Sequence, residues 1–254
     1  MTKRERFLAF ANFEPVDRVP RHAGFTPHLL DKLTAHLGQD PSQHWDMDTG
    51  GGAGLQPPEG FVPPDYSVYH PGQTHGEDSF TIDGNGCGHI NHGFYHFTEY
   101  ISPLAGATRI EELEDYPIPS RADWLAGPME KAAAEAHAAG RHAQIFAGHM
   151  YENAWQVRGY IPFLEDLLLK RDWAEVVLDK FCDNNAIVAE AAGKAGYDCL
   201  ATGDDVANQN DMMFQPDLWR EVMKPRWAKV IAAARAQKPD IHVWYHSDGN
   251  IWDI

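Results

Sequence analysis

From residue 128 onward, short apolar runs alternate with longer amphipathic ones, and this rhythm constrains the chain to a parallel α/β architecture. Residues 128–139 are Ala-rich and helical in pattern, and Gln144-Ile145-Phe146-Ala147 reads as a buried strand. Helices are expected around Glu152–Val157 and Pro162–Leu169. Over 172–194 one stripe of Trp173, Val176, Val177, Phe181, Val188 and Ala191 marks a longer helix. Cys199-Leu200-Ala201 is the next strand. Pro216 opens a helix carrying Leu218, Val222, Trp227, Val230, Ile231 and Ala234, and residues 241–245 form a strand again.

The N-terminal part is less regular. Thr2-x-x-Glu5 is a capping-box pattern for a first helix, ended at Glu14-Pro15. Arg18-Val19-Pro20-Arg21 reads as a short strand. Pro27 starts a helix with Leu29, Leu30, Leu33 and Leu37, and Gly38 ends it. Residues 49–76 are rich in Gly and Pro and read as a long loop. Its Thr49–Gly54 stretch has no following Lys-Ser/Thr, so it reads as a flexible loop or lid rather than a phosphate cradle. Asp83-Gly84-Asn85-Gly86 is a turn signal that predicts an antiparallel hairpin over 79–101. Thr108-x-x-Glu111 caps another short helix. These features predict one domain over 1–254: an α/β, (β/α)₈ TIM barrel with an inserted hairpin. About five or six barrel strands are legible. An open barrel edge leaves backbone groups unpaired, so the barrel is expected to be incomplete at the C-terminus and completed by further chain.

Charge removes several functions. Lys and Arg total 21 against 37 Asp and Glu, a net charge of −16. Such a surface repels phosphate backbones and anionic lipid, which argues against nucleic acid and membranes as partners. The three cysteines, Cys87, Cys182 and Cys199, are far apart and form no C-x-x-C pair. With no apolar signal core behind the basic N-terminus, they fit reduced thiols in a cytoplasmic protein.

Several motifs occur in a familiar order. They are Thr2–Phe7, Phe13–Pro20, Trp155-Gln156-Val157-Arg158-Gly159, Gly203-Asp204-Asp205 with Gln209, Pro216–Trp219 running to Lys224-Pro225-Arg226, and His246–Ile251. Together they resemble the uroporphyrinogen decarboxylase and cobamide-dependent methyltransferase superfamily. The resemblance implies a barrel enzyme, with a homodimer as a further expectation. One branch decarboxylates a porphyrinogen without metal or cofactor, using arginines and an aspartate. The other is similar to zinc enzymes that move a methyl group between a corrinoid protein and a thiol.

The residues depart from both branches. In Arg21-His22-Ala23-Gly24-Phe25, Arg21 matches the first arginine of the decarboxylase clamp, but Phe25 replaces the second. That weakens recognition of a polyanion. In His246-Ser247-Asp248, Asp248 stands where the zinc branch has cysteine. A nitrogen and an oxygen donor two residues apart, at the end of a predicted strand, suit zinc or another divalent cation.

The expected metal ligands are His246 and Asp248, with Glu152 as a further one. Glu152 also has a bland reading as a helix cap or as the partner of Arg158. His149 and Tyr151 share its position. Asp48, with Asp46 close beside it, falls near the family's active-site aspartate, and Asp205 suits acid–base work. Asp48 can instead be a solvated loop carboxylate, and one of Asp204 and Asp205 a helix or turn cap, with at least one of that pair expected at the site. Arg21, Trp155, Asp204 and Gln209 are the candidate substrate contacts, against core or loop roles for the last three. His89, His92 and His96 do not share one strand face and make a poor metal set. The resulting expectation is a metal-dependent methyltransferase using a corrinoid and a small thiol or hydroxyl substrate. The alternatives are a cofactor-free decarboxylase and a non-catalytic tetrapyrrole-binding barrel.

Overall fold

The computed structural model describes residues 1–73, 79–93 and 97–254. Helix α1 spans Lys3–Ala11 and begins with the predicted capping box. Glu5 N donates to Thr2 Oγ1 at 3.1 Å, and Thr2 N donates to Glu5 Oε2 at 2.8 Å. The strand expected at Arg18–Arg21 does not form. Those residues are held instead by charge: Arg18 Nη1 donates to Asp48 Oδ2 at 2.5 Å, and Arg21 N to the same oxygen at 2.8 Å. Helix α2, Pro27–Leu37, ends at Gly38 in the left-handed conformation, φ 70°, where glycine carries no Cβ penalty. Its Leu29 and Leu30 are exposed. A short helix α3, Pro41–His44, follows.

The glycine-rich stretch is not a flexible loop. Gly51 pairs in parallel with Ala143, with Gly51 N to His142 O at 3.0 Å and Gln144 N to Gly51 O at 2.9 Å. A Cβ at Gly52 would collide with the carbonyl of Gln144. These glycines permit close backbone approach, so the reading as a lid is overturned.

The predicted hairpin is present and has a third strand. Strands β1 (Phe80–Ile82), β2 (Gly88–Ile90) and β3 (Glu99–Ile101) form an antiparallel sheet in that order. Helix α4, Ile110–Glu114, is capped by Glu112 rather than Glu111: its carboxylate accepts from Thr108 N and Arg109 N.

Next come α5 (Gly127–Ala138), β4 (Gln144–Phe146), α6 (Tyr151–Arg158), α7 (Tyr160–Leu169), α8 (Arg171–Lys194), β5 (Cys199–Gly203), α9 (Pro216–Gln237) and β6 (His242–His246). Strands β4, β5 and β6 pair in parallel, with Gln144, Cys199 and His242 in one register row. The described residues therefore give an α/β fold with two small sheets and no closed barrel.

Side chains alternate across a strand, so each one has two faces. Leu200, Thr202, Val243 and Tyr245 share one face, and Leu200 joins a core with Val177, Leu178, Phe181, Val222, Trp227 and Val230 from α8 and α9. Trp227 and Tyr245 meet edge to face with ring centroids 5.8 Å apart. On the opposite face Phe146 and Trp244 remain 45% and 52% exposed, which leaves an open apolar surface beside the edge strand β6. Buried Asp198, just before β5, ties the elements together. It accepts from Arg4 Nε at 3.0 Å and Nη2 at 2.9 Å, from His137 Nε2 at 2.9 Å and from Ala143 N at 3.0 Å.

Helices α8 and α9 cross closely at Gly193. An added Cβ there would stand 2.5 Å from the carbonyl oxygen of Ala234. Gly193→Ala is expected to force the helices apart and destabilise the protein by about 1–3 kcal/mol. Urea denaturation checks this, and an unchanged midpoint would show that the crossing has slack.

Candidate active site

Parallel strands deliver the residues after them to one end of the sheet, where α/β proteins keep their chemistry. Here the ends of β4, β5 and β6 bring together His149, Glu152, Asp204, Asp205, His246 and Asp248. The turn is tight. Asp204 N donates to His246 O at 3.1 Å, and a Cβ at Gly203 would collide with the His246 backbone.

The six residues form two adjoining sets. In one, Asp205, His246 and Asp248 each offer a ligand atom, all within 4.8 Å of one another. His246 Nε2 is 3.2 Å from Asp248 Oδ1 and 3.9 Å from Asp205 Oδ1. Asp248 N donates to Asp205 Oδ1 at 2.7 Å, which fixes the loop after β6 against the end of β5. One imidazole and two carboxylates match the donor preferences of zinc and of harder divalent ions. The expected pair His246 and Asp248 is thus brought together, but its third member is Asp205 rather than Glu152. That adjacency follows from β5 and β6 being neighbours, which is a fact of topology and not of sequence spacing.

Glu152 belongs to the second set, with His149 and Asp204. His149 Nδ1 lies 2.8 Å from Glu152 Oε2 and donates to Gly203 O at 2.7 Å. Glu152 Oε2 also accepts from Asp205 N at 3.1 Å, so it touches both sets. The side chain of Asp204 is fully buried. Its Oδ1 accepts from Met150 N at 2.8 Å and Glu152 N at 3.2 Å, which caps α6 from another strand. Burial pushes the Asp204 carboxyl up to about 7, against the opposing pull of the Met150 and Glu152 amides. Burial would depress the His149 imidazole, but Glu152, the Gly203 carbonyl and Asp204 outweigh it and raise it to about 9. Burial also raises the Tyr245 hydroxyl, and nearby Asp204 and Glu152 raise it further.

The remaining candidates fall elsewhere. Arg158 pairs with Asp166, at 2.6 Å, and not with Glu152. Trp155 lies on α6, three residues beyond Glu152, with its ring edge-on to Tyr100 and Tyr160 at 5.3 and 5.5 Å. Gln209 is exposed in the loop after β5. Asp48 is buried between Arg6 Nη1 at 2.6 Å and Arg18 Nη1 at 2.5 Å. Burial disfavours its charge, but the Arg21 amide and these two arginines hold it below its ordinary pKa. It precedes Gly51, which pairs with the residue before β4, so Asp48 sits at the amino end of the sheet. Arg21 and Asp48 line a cavity of about 520 Å³ with His142, Gln144, His242 and Trp244. The cavity runs along this face of the sheet as far as Phe146 and Trp244, and the Trp244 ring stands 6.1 Å from that of His246. Asp48 and Arg21 therefore lie toward the amino end of that face, and Asp205 at the carboxyl end of β5.

His89 pairs with Asp83 at 3.0 Å and His92 with Glu99 at 2.8 Å, while His96 lies outside the described residues. Asp83, Cys87 and His89 do cluster. Burial raises the Cys87 thiol to about 12, and its Sγ lies 3.3 Å from Gln156 O, as suits a packed neutral thiol.

Residues 146–254 match the family description of uroporphyrinogen decarboxylase (URO-D). This stretch is similar to that family. It begins in β4 and contains all six residues of the two sets. A solved methyltransferase from Methanosarcina mazei is similar in fold over 100% of this chain and 72% of its own, with a TM-score of 0.58 and 20% identity. No curated protein matches the sequence. Among the described residues, no helix is long and apolar enough to cross a membrane.

The electrostatics of the URO-D-like segment can be tested by titration. With chelator present, the His149 ring is expected to titrate near 9, and in Glu152→Gln to fall toward the ordinary imidazole range, about 6.5. Because the folded value is raised, the associated stability is fully present below the unfolded value and lost as pH rises through about 9. NMR of the ring protons reads both proteins, and equal titrations would show that Glu152 does not hold the charge.

Proposed function

We propose that this protein is a metal-dependent methyltransferase of the URO-D superfamily, moving a methyl group between a corrinoid and a small thiol or hydroxyl substrate. The observation that carries the reading is the convergence of Asp205, His246 and Asp248 at the carboxyl ends of β5 and β6. We read the parallel sheet as an arc of a (β/α)₈ barrel in a cytoplasmic protein, with a corrinoid protein as the partner that supplies or accepts methyl. The URO-D match and the fold likeness to a methyltransferase support that reading.

His246 Nε2 and the carboxylates of Asp205 and Asp248 would hold the ion. A bound zinc or similar cation supplies Lewis acidity, which favours loss of the substrate's S–H or O–H proton. The Asp248 amide bond to Asp205 keeps the two carboxylates in register. Phe146 packs on the His149 ring at 4.7 Å, and Trp244 stands 6.1 Å from His246. They give the substrate an apolar floor that limits water. The substrate atom forms its bond to the methyl carbon, and the bonding pair remains with the corrinoid. The reverse direction charges the corrinoid.

Decarboxylation is less well supported, since Asp48 is neutralised by Arg6 and Arg18 and stands at the other end of the sheet from Asp205. Elemental analysis tests the favoured reading. Native protein is expected to hold a divalent ion that Asp248→Ala loses, with thiol-dependent demethylation of methylcobalamin slowed at least about 10-fold in the variant. Equal metal content in the two proteins would overturn it.

A further inference from the structure

The second set of side chains is not absorbed by that function. His149, Glu152 and Asp204 each offer a ligand atom within 4.8 Å of the others. His149 Nδ1 is 2.8 Å from Glu152 Oε2 and 4.0 Å from Asp204 Oδ1.

Two observations show that the arrangement lacks positive charge. First, the carboxylates of Glu152, Asp204, Asp205 and Asp248 crowd one end of the sheet, and among the described residues their only ion-pair partners are His149 and His246. Among the described residues, no Lys or Arg forms an ion pair with them. With one divalent ion at Asp205, His246 and Asp248, the four carboxylates and the His149 imidazolium sum to about −1. A second one, displacing the His149 proton, brings the sum to zero. Second, Asp204 is fully buried, yet its Oδ2 has no hydrogen-bond partner among the described residues. A buried carboxylate oxygen left without a donor is costly unless a proton or a cation meets it. The Met150 and Glu152 amides both go to Oδ1. Capping α6 therefore explains one oxygen and not the other.

We propose that His149, Glu152 and Asp204 form a second divalent-cation site, adjoining the first and linked to it by Glu152 and by the consecutive pair Asp204-Asp205. The donors are one nitrogen and carboxylate oxygens, with the Gly203 carbonyl 2.7 Å from His149 Nδ1 as a further oxygen. This set suits zinc or manganese(II). The cation takes the place of the proton that His149 Nδ1 shares with Glu152 and Gly203, so loading releases that proton to solvent. The two sites differ in access. Asp248 is 82% exposed, whereas Asp204 is sealed, so the second ion exchanges more slowly than the first.

The test counts zinc bound per chain by equilibrium dialysis, on the native protein and on Asp204→Asn and Asp248→Ala. Asparagine keeps the Oδ1 acceptor that caps α6, and replaces the charged Oδ2 with an NH2 donor that cannot bind a cation. The expected result is one zinc fewer in Asp204→Asn than in the native protein, and one fewer in Asp248→Ala. Counting differences removes adventitious binding at other histidines. If Asp204→Asn binds as many ions as the native protein, the second site does not exist. If circular dichroism shows Asp204→Asn unfolded, Glu152→Gln decides by the same rule. Loss of an ion in Asp204→Asn with no loss in Asp248→Ala would uphold the second site while removing the first. A native protein that binds no zinc would remove both.

Discussion

Strand β5 pairs in parallel with β4 on one side and β6 on the other, and every residue of it is buried. That double pairing decides where the candidate site lies. Parallel strands end at the same side of the sheet, so residues separated by as many positions as Glu152 and Asp248 arrive together. The packing that holds β5 is equally specific. Leu200 sits beneath α8 and α9, and Gly203 leaves room for the backbone of His246. Asp198 anchors the entrance of the strand to α1, α5 and β4 through Arg4, His137 and Ala143. One charged hub fixes the amino end of the sheet, and hydrogen-bonded loops fix the carboxyl end.

The two ends differ in electrostatic character. At the amino end, Asp48 and Asp17 are neutralised by arginines of the same chain, with Arg6 between them at 2.6 and 2.7 Å. That is a self-contained ion-pair network, which stabilises the fold. At the carboxyl end, acids outnumber bases, and among the described residues their cationic partners are imidazoles. Carboxylates left without Lys or Arg partners in this way fit the proposed cation sites. The contrast separates the aspartates: position on the sheet and charge partners, not residue type, distinguish Asp48 from Asp205.

Much of this was legible from sequence where periodicity is strong. The stripe from Trp173 to Ala191 lies within α8, and the apolar run at 241–245 gave β6 within one residue. The turn at Asp83–Gly86 gave the hairpin. The misses have physical reasons. Arg18–Arg21 has strand-like alternation, but its arginine and backbone are claimed by Asp48, so no ladder forms. Thr49–Gly54 carries the composition of a loop, yet its glycines serve close packing against Gln144. Within the candidate site, His246 and Asp248 were visible as a motif. Asp205 as their companion was not, because ligand sets that cross strands depend on strand order. Glu152 was placed at the right end of the sheet but beside His149 and Asp204 instead.

The central claim is that the carboxyl ends of β5 and β6 hold a metal ion. Anomalous diffraction from crystals of the protein soaked in zinc, recorded on both sides of the zinc edge, tests it most directly. The account predicts a peak bounded by Asp205, His246 and Asp248. Zinc found only at Asp83, Cys87 and His89, or at surface histidines, would contradict it.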